Sequence, residues 1–404
     1  MSAQPTTTHI FKTAWRRLPG GIWALGFTSL FMDASSELIH SLLPIYMSTV
    51  LGASMVTIGA VEGLAEAIAH STKVFSGFFS DYWRKRKALA VTGYGLAAAT
   101  KPIFPLASSI GWVAAGRFLD RVGKGIRGAP RDALVADITP KELRGAAYGL
   151  RQAMDSVGAV LGPLLAVVFM LVFMGAIRSV LWIAVIPAVI AVTVLAAGVH
   201  EPDHLSAMPS KKFHFHDAAR MGRRYWTVVG LGGVFGLARF SEAFLILRAE
   251  NVGFSTSYTP LVMVVMNLVY SVGAYPAGAA ADVGSARKFL LAGLGALIAA
   301  DVMLAGASGA GWMIAGAAVW GLHMALTQGL FSKLVADTAP ADLRGSAFGV
   351  FNLISGGAAL VASVLAGVLW TAYGPATVFW ASAGFAAVTA VGLMMSGSGR
   401  SRTS

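Results

Sequence analysis

Val135-Ala-Asp-Ile-Thr-Pro140-Lys-Glu-Leu143-Arg144-Gly145-Ala-Ala147-Tyr-Gly149 returns, 200 positions on, as Val335-Ala-Asp-Thr-Ala-Pro340-Ala-Asp-Leu343-Arg344-Gly345-Ser-Ala347-Phe-Gly349. Chance pairs Gly and Ala easily, but a register shared through Asp, Pro and Arg marks an internal repeat. The same offset joins Gly111-Trp112 and Gly116 to Gly311-Trp312 and Gly316. Upstream, Gly77-Phe-Phe-Ser-Asp81 and Lys87 match Gly278-Ala-Ala-Ala-Asp282 and Lys288 at an offset of 201. The chain is built as two related halves.

Composition says what the halves are made of. Of 404 residues, 31 are Lys or Arg and 19 are Asp or Glu, so 12% are charged and 56% are hydrophobic. Mean hydropathy is +0.68. A soluble domain carries about 25% charged residues, twice this share. That excludes a cytosolic enzyme, a disordered chain and a nucleic-acid binder, despite the formal charge of +12. Forty-seven glycines suit close helix packing in a bilayer, and the lack of cysteine removes disulfides, thiolate metal sites and cysteine nucleophiles.

Twelve apolar runs lie near 21–47, 55–80, 88–108, 111–131, 146–173, 179–199, 226–248, 258–281, 288–308, 311–333, 346–372 and 375–396. Each is long enough to cross about 30 Å of hydrocarbon as a helix, and none shows the alternation of a barrel strand. The expected fold is an all-α polytopic membrane protein with twelve transmembrane helices in two pseudo-symmetric six-helix bundles. Its segments are a cytoplasmic N-terminus (1–20), a first bundle (21–199), a cytoplasmic linker (200–225), a second bundle (226–396) and a cytoplasmic tail (397–404). The first run follows Lys12, Arg16 and Arg17 but contains Asp33, Glu37 and His40 and lacks a cleavage site. It is an uncleaved span. His200, His204, His214 and His216 of the linker have no regular ligand spacing and are expected to be solvated.

Loop charges set the orientation. The loops after even-numbered spans collect Arg84-Lys85-Arg86-Lys87, Lys141, Arg144, Lys211, Lys212, Arg287, Lys288 and Arg344. Only Arg178 and Arg248 fall on the opposite side. Both termini are therefore expected to be cytoplasmic, in the cytoplasmic (inner) membrane of a bacterium.

Gly77-Phe-Phe-Ser-Asp81-Tyr-Trp-Arg-Lys85-Arg86-Lys87, after the second span, resembles the signature loop of the major facilitator superfamily, with a weaker copy from Gly278 through Asp282 and Arg287 to Lys288. The family's second loop glycine is replaced by Arg84, and by Ser285 in the copy. Arg121, Lys124 and Gly125 resemble its fourth-helix arginine motif. Gly158-Ala-Val-Leu-Gly162-Pro163 resembles its fifth-helix antiporter motif, of the drug/proton-antiporter-like group. The resemblance covers about residues 20–396. It implies alternating access, a cavity lined by helices one, four, seven and ten, and export by exchange. Gating would fall to Gly77, Asp81, Lys85, Arg86, Asp282 and Arg287. Physics offers these motifs roles of their own. Asp81 can cap a helix or pair with arginines in one access state, and Gly158, Gly162 and Pro163 can bend the fifth helix or admit close packing.

Ionisable residues inside spans are costly and point to function. The first half holds Asp33, Glu37, His40, Glu62, Glu66, His70, Lys73, Lys101, Arg117, Asp120, Arg121, Lys124, Arg151 and Asp155; the second holds only Arg239, Glu242, Asp301 and His323. Asp33, Glu37 and His40 form one helical stripe, and Glu62, Glu66 and His70 another. Arg117, Asp120, Arg121 and Lys124 form a third, and Arg151 with Asp155 a fourth. Asp33 or Glu37, with Arg121 as counter-charge, is the expected proton carrier, with Glu62 and Glu66 next. His40, Arg117, Asp120, Arg151, Asp155, Arg239, Glu242 and His323 are expected around the substrate cavity. The competing expectation is a static ion-pair lattice that sets helix register.

The expected function is a proton-coupled antiporter exporting a small organic solute or drug. An exporter of a metal ion, a metal chelate or siderophore, or an organic anion is the alternative. An intramembrane enzyme lacks the H-E-x-x-H, G-x-S-x-G and P-loop patterns, and a non-transporting receptor has no need of buried charges. The expected partners are the lipid bilayer, a small-molecule substrate and protons. No cofactor, bound metal or nucleic acid is expected, and a monomer is the default state.

Overall fold

The computed structural model describes residues 17–83, 85–201, 220–283, 285–327, 329–340 and 343–397, with side chains except at 74–83, 282–283 and 397. Among the described residues the chain forms twelve helical rods and no strand. In order they are α1 (Gly20–Ile45, extended by a π-helical turn Tyr46–Val50), α2 (Met55–Trp83), α3 (Arg86–Thr100, then Ile103–Leu106) and α4 (Ile110–Ile138). There follow α5 (Arg144–Val172), α6 (Ile177–Gly198), α7 (Arg223–Asn251) and α8 (Leu261–Val283). The last four are α9 (Ala286–Ala305), α10 (Ala310–Thr338), α11 (Arg344–Tyr373) and α12 (Pro375–Gly397). In a bilayer every backbone polar group must be satisfied within its own segment, which is why apolar runs of this length become helices.

Eight of these rods, α5 to α12, are long and apolar enough to span a membrane by composition alone. The first four carry most of the in-span ionisable residues, and those charges lower their hydropathy. Three later rods are interrupted, α6 by the single residue Ala184. The first segment of α7 ends at Ala238 and the second begins at Ala243. In α10, Gly329 adopts a left-handed φ of 74° between the segments ending at Thr327 and beginning at Leu330.

The halves meet along α2–α11, α5–α8 and α1–α7. Glycine makes the first contact possible. A Cβ at Gly59 would lie 2.1 Å from the Ser363 carbonyl oxygen, and one at Gly367 2.4 Å from that of Met55. At α5–α8, Asn267 Nδ2 donates to the Ala159 carbonyl at 2.9 Å. On the face opposite the termini one apolar core, including Leu42, Tyr46, Ile58, Phe244 and Leu247, joins both halves. On the termini's face each half keeps its own core, Leu25, Tyr94 and Leu150 in one and Tyr225, Val229 and Val335 in the other. The second segment of α7 packs on α1, whereas its first packs on α10, α11 and α12 of its own half. The cleft between the halves thus opens toward the termini.

Candidate functional site

The charges of the first half converge on α4. Residues 117, 120, 121, 124, 127 and 131 recur at three- and four-residue steps, so they share one side of the helix. Arg117 pairs with Glu62 of α2. Asp120 accepts from Lys101 Nζ of α3 at 2.9 Å, and that ammonium also donates to Ser36 Oγ of α1 at 3.0 Å. Arg121 pairs with Glu66 of α2 at 3.1 Å. Arg127 lies 3.8 Å from Asp33 of α1 and 4.4 Å above the Tyr94 ring. Asp132 meets Arg131 at 3.1 Å and Arg151 of α5 at 3.8 Å, and Arg151 reaches Asp155 at 3.1 Å. Gly123 and Gly125 let the neighbours close in: a Cβ at either would sit 2.7 Å from the Gly93 carbonyl oxygen and 2.4 Å from Thr72 Cβ respectively. One helix therefore ties together α1, α2, α3 and α5.

Exposure divides this network in two. The pairs Glu62–Arg117 and Lys101–Asp120 are shut away, with side chains at most 5% exposed. Asp33, Glu37 and Glu66 keep 27%, 22% and 37% of their side chains open. His40 links the two zones, with Nδ1 3.5 Å from Glu37 and Nε2 3.7 Å from Glu62. Charges balance. Asp33, Glu37, Glu62, Glu66, Asp120, Asp132 and Asp155 face Lys101, Arg117, Arg121, Lys124, Arg127, Arg131 and Arg151, with His40 between. A buried pair of this kind contributes little net stability, but it penalises removal of either partner. It holds register, whereas the half-open carboxylates are reachable by water and protons.

Partner choice departs from the sequence expectation. Arg121 faces Glu66, while Asp33 takes Arg127 and Glu37 takes His40. The in-span charges expected for the site did not include Arg127, Arg131 and Asp132, although positions 127 and 131 fall inside the run 111–131. Their continuation of the α4 stripe is the signal that locates them. In the second half, Arg239 and Glu242 flank the interruption of α7. The Arg239 guanidinium sits 5.8 Å above the Phe235 ring, and Glu242 is within electrostatic reach of His40 and Glu37 across the cleft. His323 stands apart, fully buried between Phe235 and Trp320, with Nδ1 2.8 Å from the Gly293 carbonyl.

The motif residues have defined places. A Cβ at Gly158 would lie 2.5 Å from the Leu30 carbonyl oxygen, and one at Gly162 2.6 Å from that of Ala34. Both glycines thus serve close approach of α5 to α1, beside Asp33 and Glu37, and α5 runs unbroken through Pro163. At the termini's face Arg86 pairs with Asp137, tying α3 to α4, and Lys85 is exposed. Lys87 Nζ donates to the Ala196 carbonyl at 2.9 Å, and Arg287 repeats this in the second half, donating to Met394 at 2.5 Å. Gly77 and Asp81 lie on α2, and Asp282 on α8, but the roles expected of their side chains, like Arg84 and residues 202–219 of the linker, lie outside what is described. No group of three His, Asp or Glu that could hold a metal ion occurs among the described residues.

The family model of the Major Facilitator Superfamily matches residues 25–241 and 228–401. The chain belongs to that superfamily. It is 32% identical, over 371 residues and 88% of its length, to an uncharacterized MFS-type transporter of Methanocaldococcus jannaschii, 89% of which is covered. It is also 29% identical over 147 residues, 36% of each chain, to the multidrug resistance protein MdtH of Yersinia pestis. A crystal structure of a mutant of the nucleoside transporter NupG superposes with a TM-score of 0.79 over 93% of this chain and 99% of that one, at 14% identity. The fold is that of an MFS transporter, an integral membrane protein that moves a small molecule across the bilayer.

Proposed function

We propose that the chain is a proton-coupled antiporter that exports a small organic solute by alternating access. It sits in the cytoplasmic membrane of a bacterium as a monomer with both termini cytoplasmic. One observation carries the reading: among the described residues of the lattice, Asp33, Glu37 and Glu66 combine a mid-helix position on α1 and α2 with an open side chain. A carboxyl between a dry wall and an arginine changes its proton affinity when either moves. Rocking of the halves moves the wall, since Glu242 and the rest of α7 lie across the cleft, while Arg121 and Arg127 travel with Asp33 and Glu37 in the first half. Proton release from Asp33 or Glu37 then accompanies one access state and uptake the other.

The fifth-helix glycines support exchange as the mode, because they seat α5 against α1 at the level of these carboxylates. The cleft's opening toward the termini is the state that would load cargo from the cytoplasm. The partial likeness to MdtH favours an organic cargo of the drug type. Proteoliposomes holding the purified full chain, screened against a mixed solute library at two pH values, test the proposal. Export of at least one organic solute, driven by an imposed pH gradient, is the expected result. Transport indifferent to the gradient for every solute moved would count against coupling.

A further inference from the structure

Asp301 of α9 is completely buried in the second half and has no part in the lattice described above. Its polar partner among the described residues is the Ser382 hydroxyl of α12, with Oγ 2.5 Å from Oδ2. Its Oδ1 has no partner among the described residues. The same Ser382 hydroxyl lies 2.6 Å from the carbonyl oxygen of Ala238, the last residue of the first α7 segment. The repeat sharpens the contrast. Position 101, its counterpart 200 residues earlier, is Lys101 paired with Asp120, whereas the counterpart of Asp120 is Trp320. Among the described residues no base stands opposite Asp301.

Hydrogen counting decides the protonation state. A hydroxyl carries one hydrogen, a carbonyl oxygen only accepts, and an ionised carboxylate only accepts. Two oxygen contacts of 2.5 and 2.6 Å at Ser382 need two hydrogens. One is the serine's own, and the carbonyl cannot supply the other. The second must come from the Asp301 carboxyl. We infer that Asp301 is a neutral carboxylic acid whose hydrogen, relayed through Ser382 to the Ala238 carbonyl, positions the interruption of α7 and with it Arg239 and Glu242.

An interrupted helix leaves carbonyls without their internal donors, and buried ones must find others. Ser382 supplies one at Ala238. Ser363 of α11 accepts from the Ser241 amide at 3.1 Å on the far side of the break. If the Asp301 proton leaves, the single Ser382 hydrogen turns to the carboxylate and Ala238 loses its donor. The titratable groups on the packed elements include His323, Lys333 and Asp337 on α10, Tyr270 and Tyr275 on α8, and Tyr225, Arg239, Glu242, Arg248 and Glu250 on α7. Among the described residues Ser382 is the polar group that acts on Asp301, and α12 carries no ionisable residue. This inference stands apart from proton coupling at Asp33 or Glu37, since it needs only that the break be held.

Two measurements on the full-length purified protein test it. Infrared difference spectra of wild type minus Asp301→Asn at pH 8 are expected to contain a carboxylic-acid carbonyl band, shifted in Ser382→Ala. No such band means that Asp301 is ionised or otherwise bonded, and overturns the inference. The chain has no cysteine, so Leu237→Cys beside the break gives a clean reporter for N-ethylmaleimide. Labelling is expected to be about fivefold faster in Asp301→Ala, the shift that about 1 kcal/mol produces, and to return to the wild-type rate in Asp301→Asn, which keeps a donor. Equal labelling in all three backgrounds overturns the positioning role. Should Asp301→Ala fail to fold, the infrared comparison, which uses only Asp301→Asn and Ser382→Ala, still decides.

Discussion

Glu62 of α2 and Arg117 of α4 are ion-paired where neither side chain meets solvent, 1% and 4% exposed, and His40 of α1 closes on the same carboxylate at 3.7 Å. One turn further along, Glu66 makes the analogous pair with Arg121 but leaves 37% of its side chain open. The two pairs share their chemistry and differ in burial, and burial sets the penalty for breaking each.

Glu62→Gln leaves a guanidinium buried without its counter-charge, which destabilises a protein by about 3–5 kcal/mol. Glu66→Gln, half-open to water, is expected to cost about 1 kcal/mol or less. Thermal unfolding of the two variants in the same detergent checks the order. The double variant Glu62→Gln with Arg117→Met is expected to recover most of the loss.

The α1–α5 contact depends on the absence of side chains. Gly158→Ala or Gly162→Ala forces a methyl toward a main-chain oxygen, and overpacking of this kind costs about 1–3 kcal/mol. Both variants are expected to melt earlier and to transport more slowly. Gly128→Ala, on α4 with nothing within 4 Å of the new methyl, is the matched control and should behave as wild type.

Arg248 is one of the two arginines, with Arg178, on the face opposite the termini, and it is not an exposed topological charge. Its guanidinium donates to the carbonyls of Leu304, Ala305 and Ala307, each at 3.0 Å, and so caps the end of α9. Arg178 does the same for the first half, donating to the Tyr46 hydroxyl at 3.0 Å and the Ala107 carbonyl at 3.4 Å. Arg248→Ala should cost about 3 kcal/mol, from the loss of hydrogen bonds to a charged donor. A reporter fused to the C-terminus should show the same orientation in variant and wild type.

The twelve rods were legible because a bilayer accepts only apolar segments of sufficient length. The expected run at 55–80 became Met55–Trp83, and that at 375–396 became Pro375–Gly397. The stripes on α1, α2, α4 and α5 were legible for the same reason, since helical spacing alone puts Glu62 beside Glu66. Pairing was not legible. Which acid Arg121 reaches depends on how far Gly123 and Gly125 let α2 and α3 approach α4, a property of the packed bundle. The break in α7 was also hidden, because 226–248 looks like one continuous run. Its freed groups are satisfied by Ser363 and Ser382, more than 120 residues downstream. His323 looked like a cavity residue by helix number, yet its ring faces the second half's own aromatic core.

Coupling is tested most directly by separating exchange from accumulation in proteoliposomes, using an organic solute returned by the library screen. For Asp33→Asn and Glu37→Gln the account predicts that solute exchange at equal pH persists, while uptake driven by a pH gradient falls to the level of empty liposomes in at least one of the two. If both variants accumulate solute against its gradient as fast as wild type, these carboxylates do not carry the proton and the account is wrong.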